Sequence, residues 1–327
     1  YQPLLALAGL KWAAYFALAY VCFLRPRHIW MLASAFCLEL VLSLGGYFSG
    51  FKGVFFVSAL AFLSSGRRLK GQHYAGLGVL FSVLLVFSLA WTSIKTEYRS
   101  YLSGGERAQI VTVSYVDRVQ ELVRQVSALT GADYADAVSE MAARIAYVDF
   151  FGSALDWVPS RASHTGGELW GAAVVHILTP RFLWPDKPPL PNDSVITMKY
   201  TGLHLSSEAE GTSISLGYAA QSYVDFGLPW MFVPLFALGW VWGRMYHFFM
   251  TRKTGMPVFN QALAVPVLLM VMQYEAAVAK LVGGVITGFL VAWLVQRFFS
   301  ARLERFLVVP ARRAAARQGP TDNGQRI

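Results

Sequence analysis

The sequence predicts an all-α, polytopic membrane protein with one large extracytoplasmic loop, and three observations carry that prediction. Hydrophobic residues make up 55% of the 327 residues and charged ones only 14%, with a mean hydropathy of +0.44; a soluble surface of this size needs more charge. Apolar runs recur at close to the ~20 residues that cross a bilayer. Charge is also segregated. The chain carries +9, but residues 95–227 hold ten Lys/Arg against fifteen Asp/Glu, a net of −5, which leaves +14 for the rest in short clusters beside the apolar runs. That is the positive-inside pattern and not a basic groove, so nucleic acid is excluded as a partner.

The chain begins at Tyr1, without a Met and already close to an apolar run, so further residues, helices among them, are expected to precede it. Residues 1–94 form the first membrane region, with spans expected at 4–24, 29–48, 51–65 and 77–94. The third is short and needs Gly50 and a snorkelling Lys52 to reach the interface. Residues 95–227 form the loop. Residues 228–299 add spans at 228–249, 258–274 and 281–299, and residues 300–327 are a basic tail whose end beyond Pro310 is expected to be disordered. Seven spans put Arg25, Arg27, Arg67, Arg68, Lys70, Arg252, Lys253 and the tail on one side, the cytoplasm, and the loop on the other. Cys22 and Cys37 both fall in apolar runs, so the loop has neither a disulfide framework nor a cysteine metal site.

Two charges fall inside the spans. Lys11 and Glu39 lie roughly 10 and 14 Å below the outer ends of adjacent, oppositely directed runs, which predicts an ion pair. Glu275 and Lys280 flank the outer turn between the last two spans and could edge an outer site.

Within the loop, Ile110, Val113, Val116, Val119, Leu122, Val126 and Leu129 recur every three or four residues, an amphipathic helix that Gly131 ends. A second helix is expected from an Asp133 cap towards Trp157, before Pro159, and both suit a membrane surface. Residues 166–178 are apolar but too short to span, and Pro180 closes them. Four prolines between Pro185 and Pro191 then stiffen the backbone. Residues 212–226 read as a helix stopped by Gly227 and Pro229, with Tyr218, Gln221, Ser222 and Asp225 on one face.

The chemistry is expected in that second half of the loop. Arg161, Arg181, Lys187 and Lys199 bracket the rigid segment, and their donors suit phosphate or diphosphate. Trp170, Phe182, Trp184 and Tyr200 accompany them, as where sugars or lipid headgroups meet a membrane; interfacial anchoring is the simpler reading of each taken alone. His164, Glu168, His176 and His204 lack metal-ligand spacing, so no metal site is expected. His164 is instead a candidate acid, base or hydrogen-bond donor. Asp186, Glu208, Glu210 and Asp225 are the nearest acids, and Asp225 suits either a base or a solvated helix end. Nucleotide-binding glycine loops and G-x-S-x-G elbows are absent from the sequence.

The run PRFLWPDKPPLPN from Pro180, followed from Gly211 by GTSISLGYAAQSYVDFGLPWMFVPLFALGWVWG, resembles the oligosaccharide repeat-unit polymerases. These are the Wzy-like proteins of bacterial surface polysaccharide (O-antigen or exopolysaccharide) synthesis. The similarity covers roughly residues 161–244 and the layout of several spans around one dominant outer loop; the family usually has more helices than the seven visible here. It implies a GT-C-like glycosyltransferase in the bacterial inner membrane, its main loop periplasmic and its C-terminus cytoplasmic. The substrates would be undecaprenyl-diphosphate-linked glycans, met among membrane lipid, with a chain-length regulator and a flippase of the same pathway as expected partners. No cofactor is implied, because the lipid diphosphate is itself the leaving group.

In that chemistry Arg181 and Lys187 stabilise the departing diphosphate, Arg161 holds the second phosphate, and His164 or Asp225 takes the acceptor's proton. Trp184, Asp186, Lys199, Tyr200, Tyr218 and Gln221 complete substrate binding. An O-antigen-ligase-like transferase would use the same donor. A non-enzymatic flippase would show polar residues along several spans, and a scaffold would tolerate loss of the loop cations.

Overall fold

The computed structural model describes residues 2–44, 50–66, 70–105, 111–145, 148–181, 183–205, 213–252 and 256–317. Among them every regular element is helical. In order these are α1 (Gln2–Leu24), a 3-10 turn (Pro26–His28), α2 (Ile29–Leu44), α3 (Lys52–Ser64), α4 (Gly71–Leu102), α5 (Tyr115–Ser127), α6 (Gly131–Ile145) and α7 (Val148–Trp157). Then come α8 (Glu168–Leu178), α9 (Asp193–Thr201), α10 (Tyr218–Phe226), α11 (Phe232–Thr251), α12 (Pro257–Val271) and α13 (Val278–Arg317). Ile110, Phe182, Glu208, Glu210 and Thr212, named from the sequence, lie outside the described residues, as do Arg67, Arg68 and Lys253.

Among the described residues three helices are long and apolar enough to cross a membrane: Pro3–Leu24, Gly71–Leu102 and Val278–Arg302. The chain is therefore a membrane protein by the length and composition of these segments. The other expected spans are helical but differ. Helices α3 and α12 have 13 and 15 residues, short of the ~20 that a straight crossing needs, and residues 45–48 of the span expected over α2 lie outside the described residues. Helix α11 has 20 residues but carries Arg244 and His247 near its end. Helix α4 is longer than its predicted span; its 32 residues rise about 47 Å, well beyond ~30 Å of hydrocarbon.

The bundle is built around α1, which packs against α2, α3, α12 and α13. Small residues let these helices approach: a Cβ on Gly53 would lie 2.5 Å from the Trp12 ring, and one on Gly284 would lie 2.5 Å from Met270 Cε. Phe16, Ala19, Cys22, Phe51, Phe55, Leu263, Leu281 and Ala292 fill the core. The outer surface keeps large apolar side chains exposed, among them Leu4, Leu5, Val79, Phe81, Phe236 and Trp240. A face of this kind is stable against hydrocarbon and costly in water. The predicted Lys11–Glu39 pair forms, with Ser43 Oγ donating to the same carboxylate at 3.1 Å.

The loop helices pack partly on the bundle, Leu122 of α5 joining its core and α8 lying against α13. The far end of α4 carries α5 and α6, with Lys95 paired to Glu140 and the Tyr115 hydroxyl donating to Val41 O of α2 at 2.8 Å. Helix α5 starts at a Ser114 cap that accepts from Asp117 N. Helix α6 starts differently from the expected Asp133 cap. Thr130 precedes the helix and Gly131 opens it, while Asp133, in its first turn, accepts from Thr130 N (2.7 Å) and Thr130 Oγ1 (2.6 Å). These bonds hold the Asp133 carboxyl below the usual carboxylate range. Helices α7, α9 and α10 enclose a separate core of Ala154, Val158, Tyr200, Leu216, Ala220, Tyr223, Val224 and Met231.

Candidate functional site

Helix α10 is nine residues long and mostly buried. It was expected from residue 212, but residues 213–217 form no regular element. Their backbone is committed to α9 instead: Ile214 N donates to Ser194 Oγ and Ile214 O accepts from Thr197 Oγ1, both at 2.9 Å. Gly217, at φ 84°, then turns the chain into the helix, a conformation that other residues adopt only with strain.

Gln221 and Asp225 lie four residues apart and so share a face, and each caps another helix. Gln221 Oε1 accepts from Val278 N at 2.8 Å, the first residue of α13. The Asp225 carboxylate, 1% exposed, accepts from Leu169 N (3.0 Å) and Trp170 N (2.8 Å) in the first turn of α8, and from Thr165 Oγ1. Helix starts leave such amides without partners, and an acceptor from elsewhere in the chain does the work of a local cap. Trp170 Nε1 adds a bond to Ser222 Oγ at 2.9 Å.

The return side of this splice is the loop before α8. Thr165 N donates to Val224 O (3.1 Å) and Gly166 N to Asp225 O (2.9 Å). His164 Nδ1 lies 3.1 and 3.2 Å from the Tyr223 and Val224 carbonyls, so that nitrogen carries the proton and donates. The ring stands edge-on to Tyr223 and over Gly227, where a Cβ would come within 2.9 Å of Nε2. Both residues expected to act as the base are thus engaged at helix ends. Asp225 in particular is buried with three donors on its carboxylate, an arrangement that suits a cap and leaves no room for an incoming hydroxyl.

A cleft of about 710 Å³ opens at the other end of α8, within the ~300–1,000 Å³ usual for small-molecule sites. Val175, His176 and Thr179 form one wall, and Leu183, Trp184, Pro185, Asp186, Lys187 and Pro188 the other. Lys187 Nζ donates to Thr179 O at 2.9 Å and to His176 O, the closing carbonyls of α8. That leaves one of its three donors open. Desolvation first, and Arg181 second, hold the Lys187 ammonium below the usual lysine range. Burial, then Lys187 and Arg181, likewise hold the His176 imidazole below its usual value. Among the described residues neither cation is paired with a carboxylate.

The cleft therefore gathers Trp184, Asp186 and Lys187, with Arg181 close enough to act on the same groups, and adds His176. Sequence reasoning weighed His176 only as a metal ligand; its position four residues before Pro180, on a helix too short to span, was the available signal. Other expected residues lie elsewhere. Arg161 stacks on Trp157 at 4.7 Å. Lys199 lies over the Tyr200 ring at 4.9 Å, and its side-chain hydrogen bond to Tyr200 raises it above the usual lysine range, with Glu168 nearby. Glu168 begins α8, so this group sits at the end of that helix away from the cleft, about 15 Å along its axis. Tyr218 packs edge-on against Trp242. Lys280, expected near Glu275 at an outer edge, pairs with Asp193. Among the described residues no three His, Cys, Asp or Glu side chains converge as metal ligands do. No protein-family profile, curated protein or solved structure matches the chain.

Proposed function

We propose that the chain is a membrane glycosyltransferase that polymerises undecaprenyl-diphosphate-linked repeat units at the periplasmic face of the inner membrane. The observation that carries this reading is the cleft at the end of α8, which Lys187 lines with Arg181 near enough to act on its charge, neither cation being paired with a carboxylate among the described residues. Two like charges held close raise each other's energy, and an anion placed between them relieves it. A diphosphate that gains charge as its glycosidic bond breaks is stabilised more in the transition state than before it. Exposed Val174, Val175 and Leu178 on α8 and exposed Leu183 and Trp184 across the cleft suit a substrate whose phosphates sit beside a lipid tail. The resemblance of residues 161–244 to repeat-unit polymerases points the same way.

The test uses the purified full chain, the host's own lipid-diphosphate-linked repeat unit and no nucleotide, with products resolved by size. A ladder at repeat-unit spacing is expected, and Arg181→Ala should remove it while the protein stays folded. An undiminished ladder in that variant would sink the role given to Arg181. Transfer to a different acceptor would favour a ligase, and intact substrate would refute the transferase reading.

A further inference from the structure

Glycosyl transfer to a hydroxyl releases a proton, and the two groups expected to take it lie at the other end of α8 from the cleft, Asp225 capping the start of that helix and His164 in the loop before it. One titratable base lines the cleft itself. His176 is half-buried in the wall formed by α8, and its own carbonyl accepts from the Lys187 ammonium. We infer that His176 accepts the proton of the incoming hydroxyl, in the same cleft where Lys187, with Arg181 nearby, receives the leaving diphosphate. The assignment rests on the transferase reading above.

The step balances. The acceptor oxygen forms a bond to the anomeric carbon, the bond from that carbon to the phosphate oxygen breaks, and its electron pair leaves with the diphosphate. The hydroxyl proton passes to the imidazole and from there to solvent. Donor and base differ in what they need: the phosphates need positive charge, and the base must be neutral before it acts. Arg181 and Lys187 serve both, since they attract the anion and disfavour a protonated imidazole beside them.

The charged groups on the neighbouring elements do not reverse this. Asp186 lies in the opposite wall of the cleft. Asp225 of α10 is committed to the start of α8, Glu168 lies in that same first turn, and Lys280 of α13 is paired with Asp193. When a diphosphate occupies the cleft it offsets the two cations, and His176 becomes a stronger base at the moment the donor is bound.

This gives a kinetic signature. The acid limb of kcat/KM reports the free protein and that of kcat reports the loaded one. The kcat limb is expected at higher pH than the kcat/KM limb, and coincident limbs in the wild-type chain would overturn the coupling. His176→Gln should lower kcat about 10²–10⁴-fold and remove the acid limb, whereas a full rate with an unchanged limb would overturn the assignment and leave the transferase reading intact. Wild-type protein that transfers no glycan would fail that prior reading instead. A second measurement needs no turnover and no variant. With selectively labelled histidine, titrating the full chain with inorganic diphosphate should move the midpoint of one of its six imidazoles upward; six unmoved midpoints would overturn the proposal.

Discussion

Replacing Asp225 separates a cap from a catalyst. Asp225→Ala removes the acceptor for Leu169 N and Trp170 N and for the Thr165 hydroxyl, all in a place where water does not replace it, since the side chain is 1% exposed. Hydrogen bonds to a charged acceptor contribute roughly 1.5–3 kcal/mol each, but the three share one carboxylate and do not add. A helix cap alone contributes about 0.5–2 kcal/mol. A loss of about 2–4 kcal/mol of stability is therefore expected, with Asp225→Asn somewhat milder because one oxygen remains. A general base removed from a transferase costs about 10²–10⁴-fold in rate, which is also roughly 3–5 kcal/mol. The two roles thus predict similar energies in different observables. Thermal unfolding of the purified chain in detergent, run beside turnover, distinguishes them. The cap predicts a melting temperature lower by roughly 3–6 °C and, in the fraction that remains folded, turnover that survives. A variant with wild-type melting and abolished turnover would refute the reasoning.

Four further outcomes follow from the geometry. Gln221→Leu should destabilise by about 1–3 kcal/mol by orphaning Val278 N, while Gln221→Glu, which keeps an acceptor at a helix start, should melt close to wild type. Gly202→Ala should cost more than ~2 kcal/mol, because φ is 67° there and a Cβ would sit 2.2 Å from the Trp157 ring; a normal melting curve would contradict both points. Lys11→Met leaves Glu39, 16% exposed, without its ion partner on the apolar face of the bundle and should be worse than the Lys11→Met, Glu39→Leu double variant, as a double-mutant cycle would show. The folded chain holds His176 below the ordinary value of 6.5, so the unfolded chain takes up that proton first as pH falls. Stability should decline as pH falls through 6.5 and level off below the folded value, and His176→Gln should flatten that part of a pH–melting curve.

The sequence made legible whatever is encoded locally. Apolar runs located every membrane helix, and periodic valines and leucines located α5. The proline cluster located the rigid wall of the cleft, with Lys187, Trp184 and Asp186 on it and Arg181 beside it. Errors arose where two local signals competed or where the partner was distant. Asp133 bonds back to Thr130 from within the first turn of α6, which opens at Gly131, so the cap was expected too late along the chain. The residues before α10 carry a helix-compatible pattern, but their backbone bonds to Ser194 and Thr197, on a helix that was missed altogether. Its signals were present, Asn192 as cap and Gly202 at positive φ, though its nine residues show no amphipathic stripe. Asp225 and Gln221 were found on the right face, but the helix starts they bond were not. The amides that Asp225 serves lie 55 and 56 residues away, and no local pattern records which helix start will arrive there. His176 became a site residue only when the chain folded back to set Lys187 and Arg181 beside it.

The double cap on α10 has a consequence for reach. Gln221 and Asp225 stand one turn apart, so the heads of α13 and α8 are fixed about 6 Å from each other along that short helix. The cleft lies at the tail of α8, and the length of α8 alone sets its offset from the head of the last spanning helix. The arrangement is a gauge with a fixed pitch. Each residue added to α8 would carry the cleft ~1.5 Å further and swing it by ~100°. A single insertion would therefore aim the cations at a different side, and a whole turn would keep their bearing while moving them by ~5.4 Å. For the lipid-linked diphosphate proposed as substrate, the distance at which its phosphates would be met is then written in the number of residues between Gly167 and Thr179, whatever side chains fill them.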